Sequence, residues 1–242
     1  MNKIVLLIFL TLLSTTTFAQ IKFGPEAGYY MGMQSRKKII TASEKVTENS
    51  KPAPGASAGV VADLQLMKNM YLQGGVFYLF ENIKYADHVD FTRFGLGSPS
   101  QTAYYRIHNF RVPVYLVYKS GFEGTGRFIA GAGPYVSYLF SGSWKADIPV
   151  VTYGTDPQKV SGYDYLHKSK DLQFGTDKTD DLKSWDYGAA AFLGYEANVG
   201  LYFKANFSYG LGNLSPLNTD VSRVRSWGMG ISIGYLFGKD GW

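Results

Sequence analysis

Cysteine is absent from the 242 residues, so neither a disulfide framework nor a lipid-modified cysteine can stabilise or anchor this chain. Long apolar runs are confined to the first 20 residues, and no later segment is apolar enough for a helical membrane span. Helix-period patterns are equally scarce after residue 20. The charge excess is small, +5 over the whole chain, and the basic residues form no stripe, which gives no reason to expect a nucleic-acid partner. Histidine occurs three times, as His88, His108 and His167. No two have metal-ligand spacing, and no Gly-x-Ser-x-Gly elbow accompanies them. His88 stands beside Asp87 and Asp90, where a solvated loop accounts for it better than catalysis does. No catalytic, metal or cofactor site is therefore expected, and the chain reads as non-enzymatic.

The N-terminus carries Met1-Asn2-Lys3, an apolar run from Ile4 to Leu13, a Ser14–Thr17 stretch and then Phe18-Ala19-Gln20. This is the pattern of a cleavable secretory signal. Lys3 supplies the basic n-region, the apolar run is too short to span a bilayer, and the small Thr17 and Ala19 fit the −3 and −1 positions of a peptidase site. Residues 1–19 are read as the signal and 20–242 as the mature domain, whose formal charge falls from +5 to +4 with the loss of Lys3.

What the chain holds in plenty is aromatic residues and glycine: 19 Tyr, 16 Phe, 4 Trp and 28 Gly, at a mean hydropathy of −0.11. Lipid-facing apolar residues alternating with lumen-facing polar ones average out in this way. A soluble sandwich or lipocalin-like barrel shares the composition; periodicity and loop lengths separate the two.

The clearest alternation runs from Arg127 to Phe140. Phe128, Ala130, Ala132, Pro134, Val136, Tyr138 and Phe140 share one face, opposite Arg127, Gly131, Gly133 and Ser137. Period two returns over 186–196, 201–211 and 227–237, with Asn198-Val199-Gly200 as a tight turn. Earlier strands fall at about 23–33, 59–66, 71–82 and 104–118. The segment Val76–Phe80 is apolar on both faces and does not fix its own register; Leu72, Val76, Tyr78 and Phe80 are assigned outward. In the fourth strand Phe110, Val112, Val114, Leu116 and Tyr118 point outward, and Pro113, which removes a ladder hydrogen bond, predicts a local bulge or bend.

Short connections near 67–70, 119–126 and 198–200 alternate with long polar ones at about 35–55, 84–101, 142–183 and 213–222. Transmembrane barrels sort their connections in this way, with turns in the periplasm and loops outside. The expected fold is all-β: an eight-stranded antiparallel up-and-down transmembrane β-barrel, integral to a bacterial outer membrane, whose interior is filled by side chains. A terminal aromatic closes the last strand, Phe237 being the first candidate for the assembly signal and Trp242 the second.

The segments Phe110-Arg111-Val112-Pro113-Val114-Tyr115-Leu116-Val117-Tyr118, Gly131-Ala132-Gly133-Pro134-Tyr135-Val136-Ser137-Tyr138-Leu139, Tyr209-Gly210-Leu211-Gly212-Asn213-Leu214 and Ile231-Ser232-Ile233-Gly234-Tyr235-Leu236-Phe237 resemble the PorT-like, or OMP_b-brl, family of outer-membrane barrels, related in architecture to OmpX. The resemblance covers the chain from the fourth strand onward. It implies the barrel and, for some relatives, a role in secretion across the outer membrane; the matching residues are fold motifs rather than catalytic ones.

Six inward charges form the candidate site: Glu26, Asp63, Arg111, Arg127, Glu196 and Lys204. They make either a conduction path or a structural lumenal network. The second is favoured because an unpaired charge in a narrow barrel is heavily penalised. Arg36-Lys37-Lys38 could meet lipopolysaccharide headgroups. The long third loop carries both signs of charge and the aromatics Trp144, Tyr153, Tyr163 and Tyr165, which suggests a protein partner or a lumen plug. Tyr85, Tyr104, Tyr105, Trp185, Tyr202 and Trp227 are assigned to interfacial girdles. Expected partners are outer-membrane lipid including lipopolysaccharide, the barrel-assembly machinery during insertion, and a possible protein at the loops. The function expected is loop presentation, accessory to secretion or envelope integrity. A narrow porin-like channel for small solutes and a lipid-modifying enzyme are the alternatives.

Overall fold

The computed structural model describes residues 21–39, 45–122, 125–154, 160–217 and 222–238. The signal segment and Trp242 lie outside them. Ten strands run in chain order: β1 (Ile21–Ile39), β2 (Lys45–Asn49), β3 (Lys51–Met67), β4 (Met70–His88), β5 (Ser100–Phe122), β6 (Gly126–Tyr153), β7 (Val160–Asp171), β8 (Trp185–Glu196), β9 (Leu201–Gly210) and β10 (Ser222–Tyr235). Eight of them form an antiparallel ring, β1-β3-β4-β5-β6-β8-β9-β10, which β10 closes onto β1 from Glu26↔Gly234 to Lys38↔Ser222. β2 and β7 stand outside the ring, paired to the far ends of β1 and β6.

Alternation decides which side chains face out. Phe128, Leu193, Ile231 and Phe203 are exposed on the outer wall, while Arg127, Tyr135, Phe192 and Tyr202 on the same strands are buried. Leu72, Val76 and Tyr78 are exposed and Phe80 half-exposed, so the ambiguous third strand takes the register assigned to it. Met33 shares the outward parity of β1 yet is buried.

Inside, small positions make room for large neighbours. A Cβ on Gly234 would fall 2.2 Å from the Tyr202 hydroxyl, one on Gly228 2.0 Å from that of Tyr30, and one on Gly131 2.5 Å from the Phe192 ring. The glycine richness of the sequence is thus the complement of its inward aromatics, as a small filled barrel requires. The tight turns need glycine for another reason: Gly126 and Gly200 sit at φ of 88° and 90°.

Two expectations change. Pro113 causes no bulge: β5 keeps its register with β6 on both sides of the proline, from Pro113↔Tyr135 to Leu116↔Ala132, and the shift lies at His108/Asn109 instead. An interruption in the ladder absorbs the missing N–H without inserting a residue. The first and third long connections are also mostly strand, because β1, β2 and β3 extend into 35–55 and β6 runs on to Tyr153 and turns back as β7.

Ala132 sits near mid-height on the outer wall. Ala132→Arg is expected to cost about 2–4 kcal/mol in lipid, whereas Ala132→Leu should leave stability unchanged or raised. Urea unfolding in liposomes checks this, and similar costs for both variants would overturn the assignment of the lipid face.

Candidate functional site

The charges inside the ring lie in tiers. Nearest the short turns, Glu196 on β8 accepts hydrogen bonds from Lys119 Nζ and Arg127 Nη2, each at 2.6 Å, with Lys22 Nζ at 3.8 Å. Lys119 also pairs with Asp63, and Arg127 Nη1 donates to the Tyr71 hydroxyl at 3.0 Å. One tier up, Lys204 Nζ donates to Glu26 Oε2 at 2.8 Å and to Gln73 Oε1 at 2.6 Å; Tyr202 and Ser232 donate their hydroxyls to the same Glu26, each at 2.8 Å. Above that, Arg111 reaches Glu81 at 3.3 Å, Ser137 at 2.9 Å and Tyr30 at 3.0 Å, its guanidinium 4.5 Å from the Tyr135 ring centre. Asp186 accepts from Ser226 at 2.6 Å and Tyr135 at 3.1 Å.

The buried charges balance. Lys22, Arg111, Lys119, Arg127 and Lys204 give +5, and Glu26, Asp63, Glu81, Asp186 and Glu196 give −5. Removing a charge from water costs several kcal/mol even after relaxation, so neutrality with close partners is the condition for burying ten of them. Of the six residues expected from sequence, Asp63 joins Glu196 through Lys119, Arg127 pairs with Glu196 directly, Glu26 meets Lys204, and Arg111 stands apart with Glu81. Lys22, Glu81, Lys119 and Asp186 were not among the expected site residues, although each shares its strand's inward parity.

Above the charges the lumen turns apolar. Ile83, Ile107, Leu139 and Val224 of the wall pack with Leu172, Leu182 and Leu214, which come from the connections after β7 and β9. Residues 172–184 therefore fold back over the loop end. Backbone bonds hold them there: Leu172 N–H to Gly142 O at 2.9 Å, Leu139 N–H to Ser184 O at 2.7 Å, and Lys183 N–H to Leu214 O at 2.8 Å. A cavity between this plug and Arg111 has a volume of only about 10 Å³, scarcely room for a single water molecule. Val61, Tyr71, Val117, Ile129, Phe192, Tyr202 and Leu236 form a second apolar cluster toward the short turns.

Outside the lumen several expected roles move. Tyr202 is buried against Glu26 rather than in a girdle, as its even parity on β9 dictates. Tyr85 and Tyr105 instead flank the Arg36 guanidinium, at 5.2 and 4.7 Å from their ring centres, beside a cleft of about 540 Å³ that also touches Glu48, Asp87 and Trp144. Arg36 thus turns inward, away from Lys37. His108 lies on β5, within the strand expected there, with its Nδ1 2.6 Å from the Tyr78 hydroxyl among the outer rings of Phe80 and Phe140. His167 pairs with Asp147 across the exposed β6–β7 hairpin, and His88 lies near Ser98, so the three histidines do not converge. Among the described residues no group of three or more His, Asp or Glu side chains could hold a metal ion.

A family model described as an outer membrane protein beta-barrel domain matches residues 18–215. The chain belongs to that family. It is accordingly an integral outer-membrane protein. Its short turns face the periplasm and its loop end the exterior, as in barrels of this kind. Among solved structures the chain is similar to Ail, the attachment invasion locus protein of Yersinia pestis, crystallised with the heparin analogue sucrose octasulfate. Identity is 11% over 89% of this chain and 99% of that one, with a TM-score of 0.34. It is also similar to OprG of Pseudomonas aeruginosa (12% identity, 90% and 96% covered, TM-score 0.40) and to the outer membrane protease OmpT of Escherichia coli (10%, 90% and 97%, TM-score 0.45). No curated protein matches the chain by sequence.

Glu196 serves three cations at once, so Glu196→Gln is expected to cost about 3–5 kcal/mol, the penalty of leaving buried charges without their partner. Removing the half-exposed Lys170 from its pair with Asp181 should cost less than about 1 kcal/mol. Urea midpoints of the folded barrel compare the two, and equal effects would contradict the buried network.

Asp181 ties down the plug through Lys170 and the Gln173 N–H. Partial burial works against its ionisation, but these hydrogen bonds and the charges of Lys170 and Arg36 outweigh that and hold it below its ordinary value of 3.8. Since the folded value is depressed, the anchor is intact above the ordinary carboxylate range and is lost as pH falls through the folded value. The Gln173 amide proton is expected to titrate with a midpoint below 3.8 and to lose that response in Asp181→Asn, as followed by NMR in micelles; a midpoint at or above the ordinary value would refute the anchor.

Proposed function

We propose that this barrel is a non-enzymatic platform that presents its loop-end structure to molecules outside the cell, as an accessory to secretion or envelope integrity. The observation that carries the reading is the contrast between a filled lumen and an overlong wall. Ten buried charges and an apolar plug occupy the path that a channel would need, while β6 continues thirteen residues past Phe140, the last apolar outward position of its lipid-facing run. At roughly 3.3 Å per residue this is about 40 Å of additional strand, more than the hydrocarbon core itself requires. The β6–β7 hairpin at its end exposes Tyr153, Tyr163, Tyr165 and Leu166 beside Lys and Asp side chains, a mixture suited to a protein partner.

Several finer assignments belong to the same reading. Residues 1–19 act as the signal, and assembly machinery that inserts barrels recognises the aromatic end of the last strand. The family branch is PorT-like. The six charges Glu26, Asp63, Arg111, Arg127, Glu196 and Lys204, with Lys22, Glu81, Lys119 and Asp186, serve structure rather than conduction, since each is committed to protein partners.

Planar-bilayer recording tests the platform against the channel. The native barrel is expected to give no stepwise conductance; an ion-selective current lost in Arg111→Ala and Arg127→Ala would establish the channel instead. Replacing residues 149–165 by an Asn-Gly turn should leave the barrel folded, with its unboiled gel mobility intact, because the hairpin there lies beyond the last β5–β6 pair at Thr102↔Asp147. Loss of the compact band would show that the hairpin is part of the barrel's own stability.

A further inference from the structure

On the outer face of β10 the side chains fall in a vertical order: Arg223, Arg225, Trp227, Met229, Ile231, Ile233 and Tyr235. Cations give way to an aromatic and then to an apolar wall. On the neighbouring β1, Lys37 lies directly opposite Arg223, and Ser35 opposite Arg225. On the other side Trp227 lies opposite Tyr209 of β9, whose hydroxyl accepts a hydrogen bond from Arg225 Nη1 at 3.0 Å. Together Lys37, Arg223 and Arg225 border a concavity of about 530 Å³ floored by Phe207, Tyr209 and Trp227.

Like charges facing each other across a strand pair destabilise it, and the ion pairs among the described residues all lie elsewhere. Aromatic girdles mark the depth at which hydrocarbon meets headgroups. Three cations one step above such a girdle, at the exterior end of the barrel, therefore stand where the charged groups of the outer leaflet lie. From this arrangement we infer that Lys37, Arg223 and Arg225 form a binding site for the phosphate groups of an anionic outer-leaflet glycolipid, its acyl chains running down the wall below Trp227. The inference rests on the membrane placement and specifies one lipid contact within it. It also differs from the basic run noted in the sequence, because Arg36 points inward to Tyr85 and Tyr105 and takes no part. Guanidinium groups suit the task, since their planar forks meet phosphate oxygens two at a time.

The test uses the full mature chain folded into phosphatidylcholine nanodiscs, with or without diphosphorylated lipid A. Lipid A is expected to raise the unfolding midpoint of the native barrel. The triple variant Lys37→Gln, Arg223→Gln, Arg225→Gln should lose that response and bind labelled lipid A at least tenfold more weakly. In phosphatidylcholine alone the variant should be as stable as the native chain or more so, because the facing charges are gone; this keeps a folding defect distinct from a lost site. Lys68→Gln, at the periplasmic turn, should respond as the native chain does. Three results overturn the proposal: equal lipid A responses in native and triple-variant barrels, equal binding of lipid A stripped of its phosphates, or the same stabilisation by inorganic phosphate alone, which would make this a free-anion site. If no heat-modifiable barrel forms in any disc, the membrane reading fails, whereas a folded barrel indifferent to lipid A sinks only the site.

Discussion

A peptide group facing hydrocarbon has no water to bond, and this single penalty governs the molecule. It forces the sheet to close, so β10 must find β1 although some two hundred residues separate Glu26 from Gly234 in the chain. Closure at eight strands then fixes a narrow bore. From that bore follow the inward glycines that admit Tyr30, Tyr202 and Phe192, the exclusion of bulk water, and the demand that inward charges balance in sum, most of them in direct ion pairs and Asp186 held by the hydroxyls of Ser226 and Tyr135. Outside, the same closure leaves side chains alone to deal with lipid, which gives the apolar bands of β6, β8, β9 and β10.

Within the bore, neutrality is assembled from distant parts of the sequence. Glu196 of β8 meets Lys22 of β1, Lys119 of β5 and Arg127 of β6; Glu26 of β1 meets Lys204 of β9. These contacts tie the wall across its interior in addition to the backbone ladders around its rim. Partners removed singly leave a buried charge behind, so the network resists piecemeal change. Toward the exterior the polar interior gives way to the Leu172, Leu182 and Leu214 plug, which closes that end with apolar contacts that no ion can share.

Much of this was legible in the sequence because a strand repeats every two residues. Alternation located the eight ring strands; Val76–Phe80 carried no pattern of its own, and the outward face assigned to it is the one the ring adopts. It also contained more than was taken from it. Lys119 lies eight residues after Arg111 and so shares its face, Glu81 shares the inward face of β4 with Gln73, and Tyr202 alternates with Phe203; reading parity before residue type would have placed all three in the lumen. The plug was beyond such reading. Leu172, Leu182 and Leu214 sit in irregular stretches where no period links side chain to direction, and backbone bonds made at a distance, such as Leu172 to Gly142, Lys183 to Leu214 and Leu214 to Val224, hold them over the lumen. Pro113 misled for a related reason, since a missing donor shows in sequence but its accommodation by an interrupted ladder does not.

The salt bridge between Glu26 and Lys204 joins β1 to β9, spanning β10, the strand that seals the ring. Until the last strand arrives, the two charges have no fixed separation, and each keeps its own hydration shell. Dehydration of the bore and sealing of the wall are consequently one event. An open sheet would leave both charges to water, so the ring that satisfies the backbone is the same ring that makes burial of these ions tolerable.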